Sequence, residues 1–232
     1  MMMFDPMYLL FAAPGLLLSL WASYQVKSAF DKYSQVGTSS GYTGAEAARH
    51  LLDDAGLRSV AIVETDGYLS DHYDPINRQL ALSHNVYYGR SVASIGVATH
   101  EAGHALQHAH GYVPLWFRSA LVPVANIGSS MGYIVMAVGL FLHPWVVILG
   151  AALFSLVLLF QVVTLPVEFD ASSRAKHLVV EAGIIRPEER FGMDRVLNAA
   201  ALTYVAAAVS SLMVLAYYLF RAGVFGGSSD DR

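Results

Sequence analysis

Val97-Ala98-Thr99-His100-Glu101-Ala102-Gly103-His104-Ala105-Leu106 is a His-Glu-x-x-His motif inside an uninterrupted run of helix-compatible residues. On a helix, residues four apart lie nearly above one another. His100 and His104 therefore present their imidazoles from one face, at a separation that a tetrahedral zinc ion bridges. Glu101 sits one position round, beside the metal without ligating it, where it can take a proton from a water whose pKa zinc lowers to about 7. The bland alternative is chance. Against it, small and apolar residues flank the motif, and Glu101 is the sole Asp, Glu, Lys or Arg between Ser91 and Gln107. The spacing predicts a zinc helix over about Ser91 to His110.

Working outward, composition sets the solvent. Of 232 residues, 55% are hydrophobic and 14% charged, against about 25% charged in a soluble domain. With a mean hydropathy of +0.46, the chain belongs in a lipid bilayer. A net charge of -4 gives no electrostatic reason to expect nucleic acid. The absence of cysteine excludes disulfides and Cys-type zinc sites, leaving His and carboxylates as the available ligands for one Zn2+ per chain.

The hydrophobic pattern places four transmembrane helices, at residues 8–30, 119–142, 145–165 and 198–220, each long enough for about 30 Å of hydrocarbon. The first lacks the basic start of a cleavable signal and reads as an uncleaved anchor. His143-Pro144 makes a tight hairpin between the second and third, and Gly128 with Gly132 marks close helix packing. Residues 31–118 form a small α+β module. Thr43 with Glu46 predicts a capped helix through Asp54 with Gly56 beyond its end. Val60 to Glu64, Tyr68 to Tyr73 and Arg78 to Ser83 read as strands, with a turn at Asp74-Pro75-Ile76-Asn77. Residues 166–197 are polar and include a short helix from about Glu168 to Glu181, and residues 221–232 form a flexible tail. Of the 14 Lys and Arg, all but Arg221 and Arg232 lie at or within the two polar segments. That bias puts the site on the cytoplasmic side of the cell membrane, with both termini outside.

A catalytic zinc keeps three protein ligands and one open position. Glu168, the first acid after the third span, is the candidate third ligand; its competing reading is an acid stabilised by a helix start. Asp170 is assigned to supporting a ligand or to that helix start. His177 and Arg174 are candidate oxyanion donors, since amide hydrolysis builds negative charge. The strand Arg78, Gln79, Leu80, Ala81, Leu82, Ser83 is a candidate edge for an extended peptide substrate, an internal strand being the equal alternative. His110 would need a Gly at 107 to turn the chain back to the metal; Gln107 stands there, and His110 is rejected as a ligand. His108 continues the His100 and His104 face at the rim.

His100-Glu101-Ala102-Gly103-His104-Ala105-Leu106-Gln107-His108, with Leu165-Pro166-Val167-Glu168-Phe169-Asp170-Ala171-Ser172 after a helical hairpin, resembles the bacterial membrane neutral zinc metallopeptidase family, YugP-like, over nearly the whole chain. More distantly it is similar to HtpX-type and CAAX-prenyl-protease membrane peptidases, whose third ligand is the Glu of a Glu-x-x-x-Asp motif. Ser172 stands where that Asp would be. The resemblance implies a gluzincin-like metallopeptidase and leaves its peptide or protein substrate open; the site's place against the bilayer is what points to membrane proteins among the substrates. The fold class is a mainly α membrane protein, four transmembrane helices plus a small α+β zincin-like module carrying the HExxH helix. An intramembrane protease is disfavoured because the four spans carry no acid, and a transporter because their polar groups are mainly Asn126 and Gln161. A zinc-binding but inactive adaptor lacks a use for Glu101.

Overall fold

The computed structural model describes residues 5–224. In chain order the elements are α1 (Pro6–Tyr33), α2 (Gly44–Asp54), β1 (Ala61–Thr65), β2 (His72–Asp74), β3 (Gln79–Ser83), α3 (His84–Tyr87), α4 (Val92–Ala109), α5 (Val113–Ile127), a π-helical turn (Gly128–Gly132), α6 (Tyr133–Leu142), α7 (Pro144–Glu181) and α8 (Arg190–Arg221). Among the described residues, four helical stretches are long and apolar enough to cross a membrane: Pro6–Tyr33, Val113–Leu142, Pro144–Glu181 and Arg190–Arg221. The chain is a multi-pass α-helical membrane protein with one small sheet.

Two compact units are formed. The first takes residues 5–21, 117–165 and 203–224 of the described chain and is wholly helical. Its helices meet through small residues. A Cβ on Gly128 would lie 2.7 Å from the Leu153 carbonyl oxygen, and one on Gly132 would lie 2.8 Å from the Phe154 backbone nitrogen. Backbones approach closely only where side chains allow it.

The second unit takes residues 22–116 and 166–202. Thr43 caps α2 reciprocally: its hydroxyl accepts the Glu46 N–H at 3.1 Å, and its own N–H donates to the Glu46 carboxylate at 2.8 Å. Gly56 follows at φ +76°. In the three-stranded sheet the order is β1-β3-β2, with β3 parallel to β1 and antiparallel to β2. This corrects the reading of Arg78 to Ser83 as a substrate edge. Leu80, Ala81, Leu82 and Ser83 are buried in succession, so both faces of β3 are covered and both its flanks are paired. Arg78 lies outside the strand, at φ +50° in the turn. The second strand also starts later than Tyr68, because Leu69 at φ +54° interrupts the extended chain.

Pro166 does not break α7. The helix runs from Pro144 through Glu181 as one piece, in place of a span followed by a separate short helix. Proline lacks the N–H of an interior helical position and disfavours it, yet the helix continues through Pro166. Glu168 therefore sits in mid-helix, and the reading of it as a helix-start acid falls away. The second and fourth apolar helices likewise begin earlier than expected, at Val113 and Arg190. Most of the expected tail, from residue 225, lies outside the described residues.

Candidate metal centre

The site is carried by α4 and the second half of α7. Ser91 caps α4, its hydroxyl accepting the Ser94 N–H at 3.0 Å. Small residues then let the two helices close on each other: a Cβ on Gly103 would lie 2.7 Å from the carbonyl oxygen of Ala171. That approach sets the His100 and His104 face opposite Glu168. His100 Nε2 lies 3.2 Å, and His104 Nε2 3.5 Å, from the same oxygen of Glu168, Oε2. The two imidazoles stand nearly perpendicular, 83° between planes, with centroids 4.8 Å apart.

These three side chains are the one group of three or more among the described residues that could hold a metal ion, their donor atoms lying within 4.8 Å of one another. The donor set fits zinc. A tetrahedral ion with bonds of about 2.0–2.1 Å to nitrogen and oxygen has ligand-to-ligand edges of about 3.3 Å, and the two His–Glu separations, 3.2 and 3.5 Å, bracket that edge. Electrostatics agree. Burial by itself would raise the Glu168 pKa, but hydrogen bonds with His100 and His104 outweigh it and hold the carboxyl well below the usual range. Burial would lower His104, and the hydrogen bond to Glu168 with the nearby charge of Glu101 raises it instead. An ionised carboxylate thus sits in the protein interior against two imidazoles, where a cation belongs.

Each histidine is held from its other nitrogen. His100 Nδ1 meets the Ser172 hydroxyl at 3.1 Å. His104 Nδ1 meets Gln107 Oε1 at 3.0 Å, and Gln107 Nε2 donates to the Val167 carbonyl and to Asp170 Oδ2, both at 2.8 Å. Asp170 in turn is ion-paired with Arg174 at 2.6 Å. Gln107 and Ser172 had drawn notice in the sequence only as departures, from a glycine and an aspartate. The signal was present in their spacing: Gln107 is three residues from His104 and Ser172 four from Glu168, each on its partner's helix face.

Glu101 is buried on α4. Asp71, just before β2, is a neighbour the sequence reading missed. It accepts the Ser83 N–H at 2.7 Å; burial raises its pKa against the Ser83 bonds, and the charge of Glu101 pushes the same way. His108 joins Tyr73 of β2, 2.9 Å from Nδ1 to the hydroxyl. His177 and Arg174, the two candidate oxyanion donors, both line a cavity of about 600 Å³ with Leu106, His110 and Glu181, a lining that includes none of His100, His104 and Glu168. The face explains this, since residue 177 lies half a helical turn round α7 from residue 168.

No solved structure matches the chain. Over 209 residues it is 51% identical to the "Putative membrane protease YugP" of Bacillus subtilis (strain 168), covering 90% of this chain and 92% of that protein. Residues 8–223 match the family described as "Putative neutral zinc metallopeptidase". With that match spanning nearly its whole length and a zinc-compatible His, His, Glu group at its centre, the chain belongs to this family of membrane zinc peptidases.

Proposed function

We propose that the protein is a membrane zinc endopeptidase in which His100, His104 and Glu168 hold the metal and Glu101 is the general base. Bound there, zinc supplies Lewis-acid polarisation of the scissile carbonyl and lowers the pKa of the attacking water. The carboxylate of Glu101 takes the proton of that water and then delivers it to the leaving amine. The observation that carries this reading is the placement of three zinc-compatible donors around one point, with a buried acid next in sequence to the first.

An extended peptide has an open strand to pair with in β2, which is bonded on one side only among the described strands and packs against α4. Substrates are peptides or proteins, membrane proteins among them, presented to a site on the cytoplasmic side. No nucleic-acid partner is implied.

Cleavage of an unfolded test protein by the zinc-loaded chain, with Glu101→Gln in parallel, tests the chemistry. Turnover should fall by about 10²–10⁴-fold in the variant, with zinc still bound. Equal activity in both would remove Glu101 from the mechanism, and zinc binding without turnover in either would leave an adaptor. The orientation is tested separately on this cysteine-free chain. Ser40→Cys, at an exposed position, should resist an impermeant thiol reagent applied outside intact cells; labelling from outside would reverse the topology.

A further inference from the structure

Gln107 has no freedom in how its amide faces. The side chain is fully buried, and its nitrogen lies 2.8 Å from two groups, the Val167 carbonyl oxygen and Asp170 Oδ2. Both are acceptors. Asp170 is kept in that role by Arg174, whose Nε and Nη2 lie 2.6 and 3.3 Å from its two oxygens. An amide nitrogen carries two hydrogens and an amide oxygen carries none. Turning the amide over would set its oxygen against a carbonyl and a carboxylate in the protein interior, leaving two buried acceptors facing a third.

The oxygen of Gln107 must then be the atom 3.0 Å from His104 Nδ1. Only an N–H satisfies an oxygen there, so His104 carries a hydrogen on Nδ1, and Nε2 is the nitrogen left to offer a lone pair to a metal. Nε2 is the atom lying 3.5 Å from Glu168 Oε2. His100 is held differently. Its Nδ1 meets the hydroxyl of Ser172, which can donate or accept and leaves either tautomer open.

We infer that Gln107, locked by Asp170 and Arg174, is a positioning residue that fixes which nitrogen of His104 is offered to the metal, so that this ligand is set before zinc arrives. The inference rests on the zinc reading above. It deepens that reading by adding three residues outside the ligand set, and it gives Gln107, the residue after Leu106, a use that the His-Glu-x-x-His motif does not contain. Asp170 serves His104 through the amide; the position four beyond Glu168 serves His100 through a hydroxyl.

The test uses the full-length purified chain, zinc competed against a chelator, and NMR of the histidine Nδ1–H protons in the zinc-loaded protein. Gln107→Met keeps the length of the side chain and removes its polarity. It should lower zinc affinity by about 10–100-fold, the range for partners that orient a ligand from behind, and the hydrogen-bonded Nδ1–H signal of His104 should move while that of His100 stays. Arg174→Met, at a position 31% exposed, approaches the same network from outside the core. It should shift the same His104 signal with a smaller loss of affinity, and it decides the matter if Gln107→Met does not fold. Unchanged affinity and an unchanged His104 signal in the variants that fold would overturn the inference. Zinc binding that is absent from the wild type, or that survives Glu168→Ala, would instead overturn the ligand set itself, so the two failures are told apart.

Discussion

α4 and the first half of α7 are both apolar helices, and they meet opposite surroundings. Fourteen residues of the 18 in α4 are buried by protein. In the first half of α7, Trp145, Leu149, Leu159 and Val162 are between 47% and 71% exposed, as is expected of side chains that face lipid. The difference lies in side-chain size and in polar atoms. α4 sets Ala, Gly, Ser and Thr around its histidines, and its buried Thr99 and Gln107 have defined partners: the Thr99 hydroxyl donates to the Ile95 carbonyl at 2.7 Å, and Gln107 Nε2 to the Val167 carbonyl of α7 at 2.8 Å. The large exposed side chains of the first half of α7 are Trp, Leu and Val. Mean apolarity does not separate a protein-buried helix from a lipid-buried one; small residues together with partnered polar ones do.

Three substitutions press on that contrast. The largest effect is expected where α7 leaves its apolar stretch and supplies chemistry. Glu168→Ala should weaken zinc binding by more than the roughly 10–100-fold cost of losing an outer support, with helix content unchanged by circular dichroism. Retained affinity would mean that this end of α7 is only scaffold. Next is Gly103→Ala, whose Cβ would sit 2.7 Å from the Ala171 carbonyl oxygen. Overpacking of this kind costs about 1–3 kcal/mol, so thermal unfolding should come earlier and zinc affinity fall with it as α7 is pushed from α4. A silent Gly103→Ala would show that the close crossing is not what joins the ligands. The smallest is Leu17→Ala on α1, 65% exposed. Its effect on stability in bilayer or detergent should stay within about 0.5 kcal/mol, and a larger loss would reveal a protein partner on a surface assigned to lipid.

Legibility from sequence followed the range of the forces involved. The capping box of Thr43 and Glu46 and the turn at Asp74 are local, set by backbone groups a few residues away, and both were readable. The sheet was less so: β3 could be recognised as a strand, but its place between β1 and β2 depends on pairing across intervening chain. Pro166 misled because local propensity predicts a break, whereas the helix continues through it; propensity is a weak guide that tertiary context overrides.

The facing pair His100 and His104 and the four apolar helices were legible in the sequence alone, because helical periodicity and hydrophobic length act within one segment, and Glu168 stood out as the first acid after the third span. Only the tertiary structure decided that Glu168 projects from mid-helix, that β3 is central, and that His177 faces another cavity. It alone also joined Gln107 to Asp170, 63 residues further along the chain. The physical reason is that a hydrogen bond between two helices needs both their separation and their rotation, and those are set by the close crossing of Gly103 on Ala171, which no single segment contains.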